Sequence, residues 1–126
     1  MKVVFLDHLV LTVRSIEKTC EWYSRVLGME VVTFGNDRVA LQFGEQKINL
    51  HQTGFLHQPH ANMPTPGSAD LCFITMTAME DLIEYLQAID VPIIEGPVQR
   101  TGATGTILSV YVRDPDNNLI EICNYP

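Results

Sequence analysis

Hydrophobic periodicity switches back and forth along this chain between two and three-to-four residues. Phe5 to Val13 reads as a strand, buried on both faces for part of its length. Ser15 is placed to cap the helix that follows, with Glu17 in its first turn. Ile16, Cys20, Tyr23, Val26 and Leu27 recur at helical spacing, Trp22 lies beside that face, and Gly28 suits a left-handed exit. Three short strands come next, at about 30–34, 39–43 and 47–52, with Gly35-Asn36-Asp37 and Gly44-Glu45-Gln46 as turns. On the third strand Ile48 and Leu50 face one way, and Asn49 and His51 the other.

Residues 53–68 lose all periodicity and read as a Pro- and Gly-bearing linker, in which His57 and His60 are expected to be solvated. The pattern then resumes. Asp70 to Thr75 is a strand, Thr77 and Glu80 form a capping box, and Met79, Leu82, Leu86 and Ile89 make an inward stripe. A short edge-like strand at 92–97, a turn at 101–105 and a strand at 106–112 follow. Arg113-Asp114-Pro115-Asp116-Asn117 is a strong turn signal, and it launches the last strand, Asn118 to Cys123. There Ile120 and Ile122 share one face, and Glu121 and Cys123 the other. A carboxylate in the middle of an apolar strand needs either a wet face or a partner.

The order strand, helix, three strands thus occurs twice. His8-Leu9-Val10-Leu11-Thr12 aligns with Asp70-Leu71-Cys72-Phe73-Ile74, and Lys47-Ile48-Asn49-Leu50 with Leu119-Ile120-Glu121-Ile122. The expected fold is α+β: two tandem βαβββ modules, about 4–52 and 69–125, within a single domain spanning 1–126. Their mixed sheet should curl around a cleft faced by His8, Asn49, Asp70 and Glu121, with His51 and Cys123 one pleat further.

Composition narrows the function. The 126 residues carry a net charge of −7, with only eight scattered basic residues, which argues against nucleic acid as a partner. No apolar run reaches the length of a membrane span. The amino terminus reads straight into a strand rather than a signal peptide, so a cytoplasmic protein is expected. Cys20, Cys72 and Cys123 are odd in number, widely spaced and set in apolar patterns, and they read as buried free thiols.

Three stretches together resemble the vicinal oxygen chelate superfamily, also called glyoxalase/bleomycin resistance/extradiol dioxygenase. They are Asp7 to Val13, Trp22 to Met29, and Asp114 to Glu121, and the resemblance spans about Phe5 to Tyr125. Gln46 to His51 and Glu95 to Ala103 are similar to the subgroup called glyoxalase domain-containing protein 5, whose bacterial members are labelled virulence proteins. The resemblance implies one divalent metal ion (zinc, nickel, manganese or iron(II)), a small-molecule substrate and a homodimer. His8 and Glu121 match two of the family's ligand positions, and His51 and Asp70 complete a candidate set of two imidazoles and two carboxylates. Asn49 stands where glyoxalase I carries a carboxylate, and Asp70 where many members carry His. The implied activity is a lyase or isomerase working through an enediolate, with Glu121 as ligand and proton carrier. The alternatives are an iron(II) extradiol dioxygenase, for which Tyr111 and Tyr125 are available, and a metal-free ligand-sequestering protein.

Overall fold

A computed structural model describes all 126 residues. The chain divides into two compact units, residues 1–67 and 68–126.

The first unit holds β1 (His8–Val13), α1 (Ile16–Leu27), β2 (Glu30–Phe34), β3 (Arg38–Phe43) and β4 (Gln46–Gln52). Its four-stranded sheet has the order β1-β4-β3-β2, with β1 parallel to β4 and the other pairs antiparallel. A parallel pairing needs a long crossover, and α1 begins it. Ser15 caps the helix by accepting a hydrogen bond from the Lys18 backbone at 3.2 Å, and Gly28 leaves it at φ 67°. Leu11, Val13, Leu41, Ile48 and Leu50 share one sheet face and are buried, as are Tyr23 and Val26 of α1, which packs against β2, β3 and β4. Each such side chain removed from water contributes about 1.5–3 kcal/mol. The other face carries His8, Val10 and Thr12 on β1, Asn49 and His51 on β4, and Arg38 and Ala40 on β3.

The second unit repeats the plan with β5 (Asp70–Ile74), α2 (Met79–Ala88), β6 (Glu95–Gly102), β7 (Gly105–Arg113) and β8 (Leu119–Asn124), in the sheet order β5-β8-β7-β6. Val110, Val112, Ile120 and Ile122 are buried on one face, and α2 buries Met79, Leu82 and Leu86. The opposite face carries Asp70, Cys72, Glu121, Cys123, Ser109 and Tyr111.

The two registers correspond. His8 pairs with Lys47, and Asp70 with Leu119. Asn49 therefore stands two residues beyond the partner of His8, as Glu121 stands two beyond the partner of Asp70. This is the alignment read from the sequence repeat, now expressed as strand pairing.

Three local expectations are corrected. The α2 cap is Ala78, with no side-chain cap bond, because Thr75 takes the Thr77 N–H at 3.1 Å and the helix starts at Met79. The edge strand is Glu95–Gly102 rather than 92–97: after the irregularity between Glu95 and Val98, pairing with β7 runs on to a tight Gly102–Gly105 turn. Cys72 is exposed rather than buried, because it lies on the face of β5 opposite Leu71 and Phe73.

Candidate functional site

Glu121 has a partner. The Ser109 hydroxyl on β7 donates to its Oε2 at 2.6 Å. Ser109 is wholly buried, so this short charge-assisted bond satisfies its hydroxyl and fixes the carboxylate. Tyr111 lies opposite Glu121 in the strand register. Its hydroxyl accepts from Arg100 Nε at 3.1 Å, and Arg100 Nη2 donates to Glu95 at 3.0 Å. Burial raises the Tyr111 pKa, the Arg100 contact opposes that, and the Glu121 carboxylate raises it further. The phenol is therefore held protonated at neutral pH, next to a carboxylate. Asp70 is exposed, and its register sets it about 6–7 Å along the strand from Glu121. Cys72 flanks the same carboxylate. Burial of its sulfur, then hydrogen bonding with Cys123, pushes its thiol up to about 12.

In the first unit, His8 Nδ1 lies 2.7 Å from Asp7 Oδ2. A carboxylate only accepts, so Nδ1 carries a proton and donates, and Nε2 takes no part in this pair. A carboxylate behind an imidazole in this way is how metal-ligating histidines are commonly oriented. Asn49 is 5% exposed, and its Oδ1 is buried with no hydrogen-bond partner. An orphaned oxygen on the same sheet face as His8 is a candidate ligand atom.

His51 is differently placed. It pairs with Thr12, four residues along β1 from His8, which is roughly 13 Å in the strand direction. Arg38 Nη2 lies 3.2 Å from its Nε2. Guanidinium only donates, so Nε2 accepts and the proton is on Nδ1, which is buried and unpartnered. His57 does not simply project into solvent: its ring meets that of His51 edge-on, with centroids 5.2 Å apart. Burial lowers the His51 pKa, and the charges of His57, Arg38 and His60 lower it further.

Neither unit by itself gathers three or more His, Cys, Asp or Glu side chains into a metal-binding cluster. Each instead presents a pair with the same register offset, His8 with Asn49 and Asp70 with Glu121. The sequence reading missed Ser109 as the support of Glu121. Alternation along β7 puts Ser109 and Tyr111 on one face, but their pairing with β8 is visible only in the register.

Residues 5–122 match the family described as the Glyoxalase/Bleomycin resistance protein/Dioxygenase superfamily. Virulence protein STM3117 of Salmonella typhimurium is 57% identical over 120 residues, 95% of this chain and 83% of that protein. Its crystal structure superposes with a TM-score of 0.98 at 55% identity, covering 100% of both chains. Glyoxalase domain-containing protein RDO1 of Mycosarcoma maydis is 54% identical over 99% of this chain and 70% of its own length. Biphenyl-2,3-diol 1,2-dioxygenase 3 of Rhodococcus globerulus is 32% identical over 93% of this chain and 61% of its own. Lactoylglutathione lyase from Agrobacterium tumefaciens (TM-score 0.74, 19% identity) covers 98% of this chain and 95% of its own. The antibiotic-binding protein TnmS3 from Streptomyces (0.76, 16%) covers 100% and 98%, and both share the fold alone. No helix is long and apolar enough to cross a membrane. By sequence and by fold, the chain belongs to the glyoxalase/bleomycin resistance protein/dioxygenase superfamily.

Proposed function

We propose that this protein is a metal-dependent lyase or isomerase of the glyoxalase type, acting on a small substrate with neighbouring oxygens. The observation that carries the reading is the polar support behind its two best candidate ligands. His8 is oriented through Nδ1 by Asp7, and Glu121 is anchored through Oε2 by Ser109, with Cys72 and Tyr111 as further hydrogen-bonding neighbours. The candidate ligands are His8 and the orphaned Asn49 oxygen in the first unit and Asp70 and Glu121 in the second, and such mixed N/O donors would suit a borderline divalent metal. We leave His51 out of the set, because Arg38 occupies its Nε2 and the strand register carries it away from His8. When bound, the ion supplies Lewis-acid polarisation of substrate oxygens.

The chain's own groups handle the proton. Glu121 accepts it, with Ser109 holding the carboxylate in place. Tyr111, kept protonated by its surroundings and oriented by Arg100, donates to substrate oxygen. The same reading has the protein act as a homodimer, supported by the exposed apolar run Val3, Val4, Phe5 and Leu6 at the amino terminus.

One second reading has a specific support. The 32% identity to a biphenyl-diol dioxygenase, together with the Tyr111 phenol beside Glu121, favours iron(II) ring cleavage of a catechol.

The deciding measurement is elemental analysis of the purified protein, with His8→Ala and Glu121→Gln alongside. About one tightly held divalent ion per chain is expected, lost in both variants. Nickel or zinc directs assays to lyase chemistry, and iron directs them to oxygen uptake with catechols. Failure to retain any ion after loading would overturn both readings and leave ligand sequestration as the function.

A further inference from the structure

Cys72 and Cys123 are 51 residues apart in sequence, yet their sulfurs lie 3.7 Å apart on the face of the second sheet that carries Glu121. Both are free thiols. Cys72 is exposed, whereas Cys123 is 1% exposed. The register sets Cys72 opposite Glu121 and Cys123 opposite Ile74, so the two cysteines are offset by two residues on neighbouring parallel strands. A strand spacing of about 4.8 Å and an advance of about 6.6 Å put their Cα atoms roughly 8 Å apart. A disulfide needs Cα atoms within about 7 Å and sulfurs at about 2.05 Å, so closing one would require the ladder to move. The ladder therefore holds two thiols that resist joining each other but stand close enough to share a larger atom.

We infer that Cys72 and Cys123 form a dithiol site that captures a trivalent arsenic centre bearing one organic substituent. Such an arsenic has two bonds left to make, and there are two sulfurs to take them. Thiolates are soft donors, and a soft centre selects them over the neighbouring Glu121 oxygens. Ile74, 64% exposed and in register with Cys123, offers an apolar surface to the organic substituent. In the capture step each S–H gives up its proton and each sulfur forms one As–S bond. With an arsenoxide the two As–O bonds break, and the oxygen leaves as water with those two protons. Nothing is oxidised or reduced. The inference is independent of the divalent-metal reading above.

The test uses the full, reduced, chelator-treated protein and phenylarsine oxide as probe. One equivalent is expected to lower the titratable thiols, measured after removal of excess probe, from three to one. It should add the mass of one phenylarsenic group less two hydrogens. Dithiothreitol should reverse the adduct and excess glutathione should not, since only a dithiol matches the chelate. Cys20→Ser should keep the capture, and the exposed-site variant Cys72→Ser should lose it while circular dichroism stays unchanged. Glu121→Gln should also keep it while losing any divalent ion, which separates the two sites. Three thiols still titrating in the wild type, undiminished capture by Cys72→Ser, loss of capture in Cys20→Ser, or an adduct formed only as the fold is lost would each overturn the inference.

Discussion

Ser109 donates a 2.6 Å hydrogen bond to the Glu121 carboxylate from the neighbouring strand, and it is wholly buried while doing so. Supports of this kind usually change metal affinity by about ten- to a hundredfold when removed. Ser109→Ala should therefore weaken divalent-ion binding by at least about tenfold while the ion's stoichiometry at saturation stays the same. Titration calorimetry on the metal-depleted protein reads this directly. An affinity equal to wild type would mean that the hydroxyl merely fills space.

His51 makes stability depend on pH. Its pKa is depressed in the folded protein, chiefly by burial, so the unfolded chain binds the extra proton more readily. Stability from this group is complete above the unfolded value of about 6.5 and falls as pH drops below it. Urea midpoints should decline between pH 7.5 and 5.5, and His51→Gln should flatten that decline. An unchanged slope in the variant would show that other groups carry the acid sensitivity.

The Asp114–Asn118 turn fixes the starts of β5 and β8, the strands that carry Asp70 and Glu121. Asn118 is fully buried: its amide donates to Asp114 at 2.8 Å, its carbonyl takes the Ala69 N–H at 2.8 Å, and its backbone N–H donates to Asp114 at 2.9 Å. It thus ties the start of β8 to the residue before Asp70. Asn118→Ala leaves buried groups on both sides unpaired, and the cost should be ~3 kcal/mol. Chemical denaturation measures it, and a loss within error of zero would show that water replaces the lost bonds.

Gly96 guards the strand that carries Ser109. At φ 106°, an added Cβ would sit 2.5 Å from the Ser109 carbonyl oxygen and 3.0 Å from the Val110 Cα. Both the backbone conformation and the space exclude a side chain, so Gly96→Ala should destabilise by about 2 kcal/mol or more. It should also weaken divalent-ion binding, because β7 must shift to admit the methyl. Full stability with wild-type binding would show that the strand yields freely.

Much of this fold follows from local pattern. Alternation in β4 and β8 sorts Asn49 and Glu121 from their apolar neighbours, Ser15 and Gly28 bound α1, and the repeat aligns His8 with Asp70. These features are legible because side-chain period and cap chemistry belong to a few consecutive residues. What the sequence left open are the lateral relations: Ser109 on Glu121, Arg38 on His51, and Cys72 on Cys123. Each joins residues on different strands, and each depends on register set by the packing of a whole sheet. His51 shows the difference best. Its face was readable from alternation, but its distance from His8 and the guanidinium on its Nε2 were decided only when β1, β3 and β4 came together.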